Sequence, residues 1–199
     1  MCRRQGEKLF LKGERCSSAK CAILKRNFPP GAHGAKGSGR MSGYGLQLRE
    51  KQKAKRLYGL MEAQFRKYYE SANKAKGNSG EIMVRLLETR FDNVIFRLGF
   101  AKSRAMARQM VSHGMFNING HKNNIPSNSV KPNDIITIDS YKTSKKIFES
   151  LREQLKKHEA PSWLLVDSEK LEGKVLSYPE GEELKQPFDP KFIIEFYSR

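Results

Sequence analysis

Apolar positions fall into stretches of different period, and each period predicts an element. Between Leu46 and Tyr69, Leu57, Leu60, Met61, Phe65 and Tyr68 recur at helical intervals, which marks one buried face of a helix. The polar run NKAKGNSG, residues 73–80, ends that stretch. Helical spacing resumes over Glu81–Phe91, with Ile82, Met83, Leu86 and Leu87 apolar and Val94 beyond. A further helix follows, in which Ala105, Met106 and Met110 share one face. Ser103 is placed to cap its first turn, because a hydroxyl there accepts from a free backbone N–H. Gly114 can take the left-handed conformation that closes its end. Arg104 and Arg108, four apart, lie side by side on it.

The period then changes. Met115–Ile118 is a short strand candidate, and Asn119-Gly120 accepts positive φ at both centres of a type I′ turn. Val130-Lys131-Pro132-Asn133-Asp134 is a second turn, and Ile135–Ile138 is a β-branched strand. Lys145–His158 has the mixed charge of a short helix, which Pro161-Ser162 interrupts. Trp163–Val166 is strand-like, with the single Trp as a packing anchor. In the closing PFDPKFIIEFYSR, Ile193, Ile194, Phe196 and Tyr197 are too apolar to be left in water. The expected fold class is α+β, mostly helical with a small antiparallel sheet. The expected divisions are a basic arm over 1–45, a helical part over 46–89, a module of helices and sheet over 90–150 and a C-terminal part over 151–199.

Charge narrows the function. The chain of 199 residues holds 38 Lys+Arg against 21 Asp+Glu, a net of +17. Residues 1–80 hold 19 basic and 5 acidic side chains, whereas residues 146–199 hold 9 and 11. A merely solubilising surface mixes both signs; this asymmetry points to a polyanion facing the N-terminal part. No run of about 18 apolar residues could span a membrane, and no secretory h-region is present. Three cysteines do not make a disulfide framework, and a reducing, cytoplasmic-type compartment fits them.

Candidate contacts follow from type and position. Residues 27–45, NFPPGAHGAKGSGRMSGYG, are too rich in Gly, Pro and Ser for a helix or central strand. They form an arm whose glycines allow close approach to phosphates, with Lys36 and Arg40 as charges and His33 and Tyr44 able to stack or donate. Gln47, Arg49, Lys51, Lys53, Lys55 and Arg56 crowd the turns that follow, and Arg66 and Lys67 continue the basic face. In the module, Arg90, Arg97, Lys102, Arg104 and Arg108 are phosphate candidates through ammonium or planar guanidinium groups. Ser103, His113 and Asn119 lie beside them. Asp92 is read as orienting an arginine, not as a catalyst. Cys2, Cys16 and Cys21 follow the spacing C-x13-C-x4-C, which suits tetrahedral zinc but is one ligand short of a closed site. His33 is one source of a fourth ligand. Three free thiols and an iron–sulfur cluster are the other readings.

FAKSRAMARQMVSHGMFNING resembles the signature of a small RNA-binding module. That module occurs in the small-subunit ribosomal protein S-four family, in some pseudouridine synthases, in tyrosyl-tRNA synthetases and in a stalled-ribosome rescue factor. PPG-x-HG, LQLREKQKAKRLYG-x-x-E-x-QF-x-KYYE and the ending EFYSR resemble the S-four family in particular, so the resemblance runs through essentially the whole chain. It implies that the module over 90–150 is inserted in the helical domain and that the part over 151–199 packs back on that domain. It implies a non-enzymatic constituent of the small ribosomal subunit that binds 16S rRNA early and nucleates assembly of the subunit body. It also implies neighbours S-five and S-three, a place beside the mRNA entry path, and an effect on translational accuracy. The ribosome of the cytoplasm, or of an organelle stroma or matrix, is the implied location. CRRQGEKLFLKGERCSSAKC resembles the family's zinc-bearing form, C-x2-C-x13-C-x4-C, in which Cys2 would be the second ligand and residues would precede Met1. An RNA-modifying enzyme is the rival reading, but paired carboxylates, a Ser/His/Asp set and a P-loop are all missing from the sequence. A zinc-containing DNA-binding protein lacks the cysteine spacing of a finger. A non-ribosomal RNA-binding factor would share the module but not the other motifs. No small-molecule substrate is implied.

Overall fold

The computed structural model describes residues 1–37, 39–139, 148 and 151–199. The chain divides into two units, Met1–Val84 with Gln186–Arg199, and Arg85–Lys185. The α+β class holds: helices predominate and one small antiparallel sheet accompanies them.

The first unit begins with three single-turn helices, α1 (Cys2–Gln5), α2 (Glu14–Ser17) and α3 (Ala22–Lys25). The glycine-rich arm leads into α4 (Gly43–Leu57), whose N-cap Ser42 accepts from the Gly45 N–H at 3.2 Å. The periodicity over Leu46–Tyr69 predicts one helix, but the structure has two. The chain breaks at Gly59, φ 64°, a conformation that costs glycine little, and restarts as α5 (Glu62–Lys74). Leu57, Leu60 and Phe65 are buried on either side of the break. α6 (Ser79–Glu88) then leads across the boundary. It ends earlier than the apolar spacing suggests, because Arg90 takes extended backbone and bridges to Ser129.

The second unit packs α7 (Phe91–Arg97) and α8 (Arg104–Ser112) against a sheet of β1 (Phe116–Ile118), β2 (His121–Asn123), β3 (Ile135–Ile138), β4 (Leu164–Asp167) and β5 (Glu172–Val175). The strand order is β2-β1-β3-β5-β4 and all pairings are antiparallel. Both local helix signals hold. Ser103 Oγ accepts from the Met106 N–H at 3.2 Å, and Gly114 has φ +59°. Asn119 and Gly120 have φ 51° and 79° between the paired Ile118 and His121, the two-residue hairpin that Asn-Gly predicts. The core gathers Val94, Ile95, Leu98, Met110, Phe116 and Ile136, with Trp163 among them at 2% exposure. α9 (Leu151–Lys156) adds Leu151 and Leu155; residues 145–147 and 149–150 of the expected helix lie outside the described residues. A Cβ on Gly173 of β5 would lie 2.6 Å from Leu98 Cδ1, so glycine is what lets α7 approach the sheet.

Because β5 bonds to β3, residues 151–185 belong with the second unit, and the division expected at 150 falls at Lys185. The chain then returns to the first unit as α10 (Pro190–Tyr197), capped by Asp189 Oδ1, which accepts from the Lys191 N–H at 2.8 Å. α10 packs on α4. Ile193 is fully buried, Gln47 Nε2 donates to Glu195 Oε2 at 2.9 Å, and Tyr197 stacks on Tyr69 with centroids 4.8 Å apart.

Candidate nucleic-acid interface

In the first unit the short N-terminal helices and the arm build a cleft against α4. Gly6, φ +74°, closes α1, and the carbonyl of Gln5 just before it accepts from Arg49 NH2. Arg49 NH1 lies 3.7 Å from Met41 Sδ. Arg3 reaches the other way: its Nε donates to the Phe28 carbonyl at 3.0 Å, and its guanidinium lies 5.1 Å from the Phe28 ring centroid. The turn that follows is tight. A Cβ on Gly34 would lie 1.8 Å from the Pro29 carbonyl oxygen, so PPG-x-HG requires glycine at its last position. The resulting cleft of about 770 Å³ is lined by Arg3, Arg4, Arg49 and Arg56 and, among the described residues, by no Asp or Glu. Arg4 also borders a smaller hollow of about 290 Å³ formed by Pro29, Gly31 and His33.

The other expected contacts of this unit divide by exposure. His33, Lys36, Arg40, Tyr44 and Lys67 are exposed. Lys51 and Lys53 are buried. Lys51 Nζ pairs with Glu62 at 2.8 Å and lies 4.2 Å from the Phe196 ring centroid, while Lys53 Nζ pairs with Glu7 at 2.6 Å. Both were expected to meet phosphate; instead they hold the unit together, because the partners that enclose them come from distant parts of the chain. Gln47 is likewise buried, against α10. Lys55 shares Glu62 at 2.9 Å, and Arg66 pairs with Glu70 one turn on at 3.1 Å. Burial would raise the Glu62 carboxyl, but hydrogen bonds from Lys51, Tyr197 and Lys55 outweigh it and hold the pKa at about 2. The same burial and pairing push the Tyr197 phenol upward.

In the second unit Arg90, Arg97 and Arg104 are held by carboxylates. Arg90 is 1% exposed and forks onto Asp92, with Nε to Oδ1 at 3.0 Å and NH2 to Oδ2 at 2.8 Å. Asp92 thus orients an arginine, as its place in the sequence suggests, and Arg90 is an internal strut, not a surface contact. Glu88, also 1% exposed, takes Arg97 through two hydrogen bonds of 2.8 and 3.1 Å. Arg104 approaches Glu88 at 3.8 Å, donates to Asn93 Oδ1 at 2.7 Å and lies 4.7 Å from the Phe96 ring centroid. Lys102 and His113 are exposed, and Arg108 is half-buried. Ser103 is consumed by its cap. Asn119 bonds Asp134 and the Ile135 N–H, which anchors the hairpin turn to β3.

No disulfide joins Cys2, Cys16 or Cys21; Cys16 and Cys21 are buried and Cys2 is half-buried. Cys16 Sγ accepts from the Lys12 N–H at 3.3 Å. The Cys21 thiol is held below its ordinary value by the backbone N–H of Ile23, then of Leu24, with Lys8 and Arg15 adding to the effect against burial. Among the described residues no group of three or more His, Cys, Asp or Glu side chains is placed to hold a metal. Arg3 and Arg4 escape the sequence-based set, although two adjacent arginines in the most basic third of the chain are a visible signal.

The helix–helix–sheet module of the second unit makes this an S4-domain protein. The S4 domain matches residues 89–136, and the Ribosomal protein S4/S9 N-terminal domain matches residues 1–88. The small ribosomal subunit protein uS4A of Alkaliphilus metalliredigens is 53% identical over 199 residues, covering all of this chain and 95% of the relative. The corresponding uS4 proteins of Syntrophomonas wolfei and Acidobacterium capsulatum are 50% and 51% identical with the same coverage. The chain belongs to the ribosomal protein uS4 family.

Proposed function

We infer that this protein is a structural, non-catalytic constituent of the small ribosomal subunit that binds 16S rRNA in the cytoplasm. The observation that carries the reading is the arginine cleft without carboxylates in a chain whose full length matches uS4 proteins. Phosphate neutralisation supplies affinity, and the shape of a folded RNA supplies selection. Nucleation of the subunit body, neighbours S-five and S-three, a place along the mRNA entry path and an influence on accuracy extend this reading; the family resemblance supports them. Zinc on Cys2, Cys16 and Cys21 with a further ligand is part of the proposal for the arm. It is supported by the backbone N–H groups aimed at two of the three sulfurs. Elemental analysis of protein purified without chelator tests it, and a metal content near zero discards it.

The main test is a salt-titrated binding assay with the 5′ domain of 16S rRNA and an unrelated folded RNA of equal length as competitor. Selective binding to the 5′ domain, with an affinity that falls steeply as salt rises, is the expected result. Equal binding to both RNAs would replace this reading with that of a general polyanion binder.

A further inference from the structure

A surface that only attracts phosphates needs no cleft, but the first unit gathers four arginines around one, with Arg4 exposed and Arg3, Arg49 and Arg56 half-buried. Its volume, about 770 Å³, falls in the range of pockets that enclose whole small molecules, about 300–1,000 Å³. The four are not equivalent. Arg3 and Arg49 are fixed by backbone carbonyls. The guanidinium groups of Arg4 and Arg56 make no hydrogen bond or ion pair among the described residues. The other walls carry no charge. Pro29, Met41 and Leu48 are apolar, and Asn27 and Gln52 are carboxamides. Guanidinium for phosphate, apolar surface for a base face and carboxamide for a base edge are together the recognition set for an unstacked nucleotide.

We propose that this cleft receives a single unstacked nucleotide of the bound RNA. Arg4 and Arg56 take its phosphate, the Pro29–Met41–Leu48 wall takes its base face, and Gln52 and Asn27 read its edge. The ligand is therefore a looped, bulged or junction residue, because an A-form duplex keeps its bases stacked and its deep groove closed to side chains. The proposal rests on the RNA-binding reading and adds a base-reading site to it.

The test uses the full chain, the folded 5′ domain of 16S rRNA, and two variants of residues that brace nothing in the fold. Arg4→Gln/Arg56→Gln should keep the wild-type melting temperature, reduce the slope of log affinity against log salt by about two, and lower affinity about tenfold or more. Gln52→Ala should leave that slope unchanged while weakening binding several-fold. Base-specific chemical probing should find one base protected by wild type and exposed again with Gln52→Ala, the rest of the footprint being unchanged. A wild-type complex that protects no such base, or identical protection with Gln52→Ala, makes the cleft a backbone contact and overturns the proposal while leaving RNA binding intact. If wild type shows no preference for this RNA, the functional reading fails separately. Titration of AMP, GMP, CMP, UMP and inorganic phosphate against the arginine Nε NMR signals then decides. Base-dependent shifts at Arg4 and Arg56 support the site, and equal shifts with phosphate alone overturn it.

Discussion

The two units present arginine in opposite settings. The first holds 21 basic and 8 acidic side chains, and the second 17 and 13. In the first, the cleft guanidiniums have no carboxylate among their lining residues. In the second, Arg90 is locked on buried Asp92, and Arg97 and Arg104 converge on buried Glu88. On the proposed reading, the count of cations does not locate the polyanion site; the distribution of carboxylates does. A cluster of like charges repels itself until a polyanion covers it, whereas paired arginines are balanced once the chain has folded. RNA should accordingly protect the first unit from exchange and proteolysis more than the second.

The largest effect is expected where a buried pair is split. Asp92→Ala leaves Arg90 charged and enclosed, and should destabilise the protein by about 3–5 kcal/mol in denaturant unfolding. A loss under 1 kcal/mol would mean that the second unit does not depend on its buried carboxylates. Arg104→Ala comes next, at about 1–2 kcal/mol, because it removes the bond to Asn93 and the packing on Phe96. A sequence reading alone expects that variant to weaken RNA binding and spare the fold, so an unchanged melting curve would restore the simpler view. Third is a pH effect confined to the first unit. The Glu62 pKa is lowered from 4.5 to about 2, so its contribution is complete above pH 4.5 and is lost as pH falls toward 2. Glu62 is about half exposed, which limits the loss to about 1 kcal/mol. Glu62→Gln should flatten that part of the acid unfolding profile, and an unaltered profile would sever the link to Lys51 and Tyr197. The smallest effect is expected for Arg66→Ala, which removes an exposed pair one turn apart and should change stability by no more than about 0.5 kcal/mol.

Legibility in the sequence follows the range of the interaction. Ser103 and Gly114 are readable because their partners lie within five residues, and Asn119-Gly120 because the pair it joins, Ile118 and His121, is local; the structure keeps all three. The residues of β5 give no such signal: Glu172–Val175 has neither clean alternation nor an apolar run, and it lies between β4 and the distant β3, paired with both. The same limit governs the site. Lys51 and Lys53 look like their exposed neighbours, and only the folded chain surrounds them with Glu62, Phe196 and Glu7. The cleft itself is composite. Arg3 and Arg4 meet Arg49 and Arg56 only after Gly6 and Gly34 have turned the arm.

The return of α10 to α4 has a consequence for the order of synthesis. Lys51 and Gln47 emerge early, but Phe196, Glu195 and Tyr197, which cover them, are made only after every residue of the second unit. The contiguous second unit can close as soon as Lys185 is clear, while α4 waits with its seat open. On a chain growing at about 5–20 residues per second, the first unit begun is therefore the last one finished. A stall or cleavage anywhere between the units leaves an arginine-rich half without its lid.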